Sequence, residues 1–283
     1  MRYSSNTKIL ACVLATVVAF SVRADELVEK GREIFNKNQR AIVTVEVVQK
    51  VSATSGRSNA PREAKTDLSG TVVDPSGLTV IALSAADPSE LYRRLSEEYK
   101  TEIEISEIKL LLDDGTELPA EIVLRDKDLD LAFIRPKNKL TTPMTAIDLH
   151  KSSIAQVLDP LISLNRLKRG AGRAFSASVE RVSAVVQKPR TFYVPETGVS
   201  ETSLGCPAFS LDGSLVGIFV MRAVNAQGAA NWRDCLTGII LPADDILKGA
   251  VQAPQAKGDS ETPDSTKTPA EPAKTDAPKE PAK

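Results

Sequence analysis

The residues able to do chemistry in this chain are few, and one type is nearly missing. Histidine occurs once in 283 residues, as His150 in the segment AIDLHKSS. A serine hydroxyl attacks a carbonyl only when a neighbouring base takes its proton, and imidazole is the usual base. Hydrolysis by a serine here would depend on His150 or on a lysine acting as base. Metal chemistry lacks a ligand set: one histidine and the separated Cys206 and Cys235 do not make a zinc site, so no metal or cofactor is expected. The segment LKRGAGRAFSA (167–177) carries a Gly-x-Gly pair beside Lys168, Arg169 and Arg173. It lacks the Gly-Lys-Ser/Thr ending and the following helix of a phosphate loop, and reads as a basic hairpin turn.

The elements that must position these groups lie between two unlike ends. Residues 1–24 read as a secretory signal peptide, with Arg2 and Lys8 before the apolar run ILACVLATVVAF and small residues leading to cleavage near Ala24. The apolar run is too short to span a bilayer comfortably. The expected mature chain is therefore exported, periplasmic or extracellular, without a transmembrane segment. A lipid anchor on Cys12 is the weaker reading of the same stretch. Residues 253–283 are Pro, Ala, Lys, Glu, Thr and Asp with almost no large apolar side chain, and read as a disordered tail. Lys plus Arg number 36 against 37 Asp plus Glu, so no basic field for nucleic acid exists. Beyond the leader, two cysteines remain. In an exported protein that pair implies one disulfide, Cys206–Cys235, with two buried free thiols as the alternative.

Residues 25–40 read as a helix, with Leu27, Val28, Gly31, Ile34 and Phe35 on one face. AIVTVEVVQK (41–50) is β-branched and strand-like. The polar stretch 51–67 reads as a mobile loop. SGTVVDPSGLTVIALS (69–84) reads as strand, Asp-Pro-Ser-Gly turn, strand. PSELYRRLSEEYK (88–100) reads as a short helical insertion with a Ser cap. An Asp114-Gly115 hairpin and the strand LDLAFIR follow. The second half repeats this texture of short strands and close turns, which indicates an all-β barrel or sandwich.

Three segments in order resemble the trypsin-like serine peptidases of the HtrA/Deg kind. SGTVVDPSGLTVIALSAAD is similar to the family's segment ending in the catalytic histidine. IKLLLDDGTELPAEIVLRDKDLDLAFIRP is similar to the hairpin and strand carrying the catalytic aspartate. GCPAFSLDGSLVGI resembles the segment just after the catalytic serine. The resemblance implies two six-stranded antiparallel β-barrels, over residues 41–150 and 151–252, with any active cleft between them. The family's PDZ domain has no counterpart here.

Carried over residue by residue, the triad positions fall on Ser84, Asp130 and Leu204. Only the aspartate survives. His150 follows Asp130 in the chain, whereas the family's histidine precedes the aspartate, so it is read as a linker or surface residue. Thr202 stands where the family uses an oxyanion-hole glycine. A one-residue slip makes Ser203 the fallback nucleophile, but no lysine neighbours Ser84 in sequence. Asp130 is expected to be structural, with the Ser84 hydroxyl as partner, since a buried carboxylate needs one. The resemblance also implies a disulfide bracing the Cys206 region. The expectation is a peptidase-like domain without catalysis, acting by binding a peptide or protein partner in the envelope. The rivals are an active peptidase built on Ser203 and a structural protein recognised through its tail. The sequence sets no oligomeric state.

Overall fold

The computed structural model describes residues 26–53, 62–95, 101–224 and 231–255. The expected signal peptide (1–24) and nearly all of the expected tail (253–283) lie outside the described residues.

Two closed antiparallel barrels of six strands each make up the molecule. The first contains β1 (Ile42–Ala53), β2 (Arg62–Asp74), β3 (Leu78–Ala82), β4 (Thr101–Leu111), β5 (Glu117–Asp126) and β6 (Leu131–Pro136), closed in the order β1-β2-β3-β6-β5-β4. The second contains β7 (Pro160–Arg166), β8 (Phe175–Val186), β9 (Phe192–Pro195), β10 (Pro207–Phe209), β11 (Leu215–Ala223) and β12 (Leu236–Pro242), closed in the order β10-β11-β12-β9-β8-β7. Helix α1 (residues 26–38) precedes them; α2 (Leu83–Ala86) and α3 (Ser89–Leu95) follow β3; α4 (Ala243–Gln252) follows β12.

The pattern of residues explains the closure. Val43, Val45 and Val47 alternate along β1 and meet Leu110, Ala132 and Ile134 inside the first barrel. The second barrel is filled by Leu161, Tyr193, Phe209 and Phe219. Helix α1 buries Ile34 in that second cluster, although it is joined to the first barrel. At the Asp74–Gly77 turn, Gly77 takes a φ of +91°, and a Cβ there would lie 2.8 Å from Pro136 Cγ. Only glycine suits that turn.

Two local expectations are corrected. The stretch 51–67 is not a plain loop: β1 runs on to Ala53 and β2 begins at Arg62, in the register Lys50↔Glu63 and Val51↔Arg62. β4 pairs the other side of β1, with Lys50↔Glu104 and Val51↔Ile103. Three partnered strands extend past the barrel, so their polar residues face solvent rather than signal a loop. Helix α3 is capped by Asp87, whose Oδ1 accepts from the Ser89 N–H at 3.1 Å, so the cap lies before the expected serine.

Candidate functional site

Asp130 sits in the turn before β6 at a φ of +58°, a backbone state that aspartate tolerates better than most residues. Its residue is 9 % exposed. Ser84, on α2, donates its backbone N–H to Asp130 Oδ1 at 2.6 Å and its hydroxyl to Oδ2 at 2.8 Å. The Met221 N–H of β11 donates to the same Oδ2 at 2.7 Å. The carboxylate thus joins the two barrels: it belongs to the first and holds a strand of the second. The expected Ser84–Asp130 pairing is present in the geometry. The Met221 donor was not legible in sequence, because a backbone N–H has no residue signature.

Leu204, in the second barrel, is 9 % exposed and packs in the hydrophobic core. Gly205 takes a φ of +82°, donates to Phe219 O at 2.9 Å, and accepts from Thr71 Oγ1 at 2.7 Å. A Cβ on Gly205 would stand 2.4 Å from Ser69 O, so this loop is wedged against β2. Ser69 Oγ donates to Thr202 O at 3.2 Å, another tie across the seam. Ser203 does not face Asp130. Its hydroxyl is 2.7 Å from Ser200 Oγ, which is in turn 2.9 Å from Thr202 Oγ1. A chain of neutral hydroxyls contains no base able to accept the proton of a nucleophile at neutral pH.

His150 lies on the connector between the barrels. It is exposed, its N–H donates to Asp148 Oδ1 at 2.9 Å, and it borders a surface hollow with Asp74, Arg135 and Leu247 rather than the Ser84 cleft. The basic segment 167–177 spans the β7–β8 turn and the first residues of β8. Its arginines point at the first barrel: Arg173 Nε reaches Asp67 Oδ2 at 2.9 Å, and Arg169 Nη2 reaches Glu46 Oε2 at 3.3 Å. Among the described residues no group of His, Cys, Asp or Glu is placed to hold a metal ion, and no helix is long and apolar enough to cross a membrane.

The expected disulfide is absent: Cys206 and Cys235 are both free thiols. The reason is geometric. Cys206 lies opposite Phe219, whose N–H donates to Cys206 O at 3.0 Å, and Cys235 lies opposite Val224, whose N–H donates to Cys235 O at 2.9 Å. Phe219 and Val224 are five positions apart along the chain, about 16 Å of extended strand. A disulfide needs Cα atoms within about 7 Å. The Cys206 thiol donates instead to Thr202 O at 3.4 Å. Burial raises its pKa from the ordinary 9.0 to about 12, against smaller lowering effects from the Ser69 hydroxyl and the Arg166 backbone.

The cleft beside Ser84 and Asp130 encloses about 240 Å³. Leu83, Leu129, Ile239 and Leu241 form its apolar lining, and Arg190 and Arg222 line it from the second barrel. The Arg222 guanidinium lies 5.0 Å from the centre of the Phe192 ring. The paired closed barrels fit what the comparison with known families finds. A family model described as a trypsin-like peptidase domain matches residues 68–218, more than half of the chain. The chain belongs to the trypsin-like peptidase domain family. The match spans Ser84, Asp130 and Leu204, from β2 into β11. No curated protein matches the chain.

Proposed function

We propose that this trypsin-like domain is an exported, catalytically silent member of its family that binds an extended peptide in the cell envelope. One observation carries the reading: the Ser84 amide and hydroxyl occupy the Asp130 carboxylate that would otherwise orient an imidazole. The buried Leu204, at the position that the resemblance assigns to the nucleophile, supports it. In a triad the imidazole takes the nucleophile's proton and the carboxylate holds the imidazole. With serine and leucine at the outer positions, the carboxylate serves structure. Export rests on the leader-like residues 1–24.

Binding by strand addition is supported by the edge of β11. The Val224 N–H points to β12, where it meets Cys235 O. Phe219 and Met221 point the other way, to Cys206 and Asp130. By alternation, the Ala223 N–H and C=O share that outward direction, toward the cleft. An extended peptide can pair there by main-chain hydrogen bonds. The test passes a defined mixture of unstructured peptides over the immobilised chain and weighs the eluted peptides by mass spectrometry. Retained peptides with unchanged masses are expected. Shortened peptides, or no retention, would overturn the reading.

A further inference from the structure

The charges around the cleft differ in how far they are already spoken for. Four carboxylates border it: Asp87, Glu90, Asp128 and Asp130. Asp87 accepts from the Ser89 N–H and hydroxyl at 3.1 and 2.5 Å. Glu90 pairs with Arg93 at 2.6 Å and with Lys127 at 3.8 Å. Asp130 holds Ser84 and Met221. Asp128 also has its own interaction. On the second-barrel wall, Arg190 and Arg222 form no ion pair among the described residues. Arg222 rests on the Phe192 ring, which orients its planar group.

We infer that this pocket reads an acidic side chain of the bound peptide, with Arg190 and Arg222 as the residues that select it; the inference rests on the peptide-binding reading above. A guanidinium fork matches a carboxylate in geometry as well as charge, and two of them face one small space. The volume, about 240 Å³, falls below the roughly 300 Å³ at which sites for drug-sized ligands begin. It suits one side chain rather than a whole small molecule. The apolar lining takes the methylene groups of glutamate, and the arginines take its carboxylate.

An array of hexapeptides, each spot fixing one residue at one position and randomising the rest, tests this with the labelled, purified chain. Spots fixing Asp or Glu at one position are expected to bind about tenfold more strongly than those fixing Asn or Gln, the scale of one charge-assisted hydrogen bond. The Arg190→Gln/Arg222→Gln variant should lose that contrast, and Arg190→Glu/Arg222→Glu should move the preference to Lys and Arg. The wild-type contrast of Glu with Gln decides the matter even if a double variant fails to fold. Binding without acidic preference overturns this inference and leaves peptide binding standing. Binding to no spot overturns both.

Discussion

On the first-barrel side of the cleft, a buried carboxylate is held by donors from Ser84 and Met221. In the second barrel, against β2, the loop at 202–206 is fixed by a wedged glycine, a buried leucine and a buried thiol. The difference is instructive. A buried charge must have partners whatever its chemical role, so Asp130 remains demanding even without an imidazole beside it. The loop is held by packing and by neutral hydrogen bonds from Ser69 and Thr71, so a leucine can fill the place that the resemblance assigns to a nucleophile. One corner turns on a buried charge and the other on close packing with neutral hydrogen bonds, and substitutions on each should fail in different ways.

The largest effect is expected from Gly205→Ala. Its positive φ and the rigid Ser69 carbonyl 2.4 Å from the new Cβ leave no easy relaxation. A loss of about 4 kcal/mol is expected, at the exceptional end for one substitution. Urea unfolding measures it; a loss below about 1 kcal/mol, the size of an ordinary substitution, would mean the loop is not wedged.

Next comes Asp130→Ala, which strips acceptors from two backbone N–H groups at once. A loss of about 3 kcal/mol is expected, against about 1 kcal/mol for Ser84→Ala, which removes one hydroxyl and leaves the amide bond. Equal losses for the two variants would show that the hydroxyl, not the carboxylate, organises this corner.

The smallest effect concerns pH. The Cys206 thiol is raised in the folded state to about 12 from 9.0, so its neutral form is favoured by folding. That contribution is fully present below pH 9 and is lost as the pH rises from 9 toward 12. Stability at pH 10 should fall by about 1 kcal/mol relative to pH 8 through this group, and the Cys206→Ala variant should lack that part of the decline. An identical decline in both proteins would place the thiol in a wetter setting. In the native state at pH 8, a thiol reagent should label Cys235 and spare Cys206.

Much of the fold was legible because its turns are written in residues with few alternatives. Asp74-Pro75-Ser76-Gly77 and Asp114-Gly115 mark hairpins, and the β-branched runs between them alternate at strand period. The polar stretch at 51–67 misled because strand character there comes from β4 pairing on the far side of β1, a long-range contact that local composition does not carry. The cysteine pair misled for a related reason. Spacing places both residues near one hairpin, but not at which height along it. At the site, the likeness of motifs pointed to Ser84, Asp130 and Leu204, and the hydrogen bonding of Ser84 to Asp130 is the part that the geometry carries. The Met221 amide did not, since it is recognised only by where β11 passes. Arg222 carried a faint signal, a charge at the end of an otherwise apolar strand.

The central claim is that this cleft, whose lining has no histidine, does not activate a serine hydroxyl as a nucleophile. An activated ester, p-nitrophenyl acetate, mixed rapidly with the purified chain gives the most direct reading, because an acylated serine would release a burst of nitrophenolate. The account predicts no burst above buffer for the wild type. A burst of one equivalent per chain, abolished by Ser203→Ala or Ser84→Ala, would contradict it.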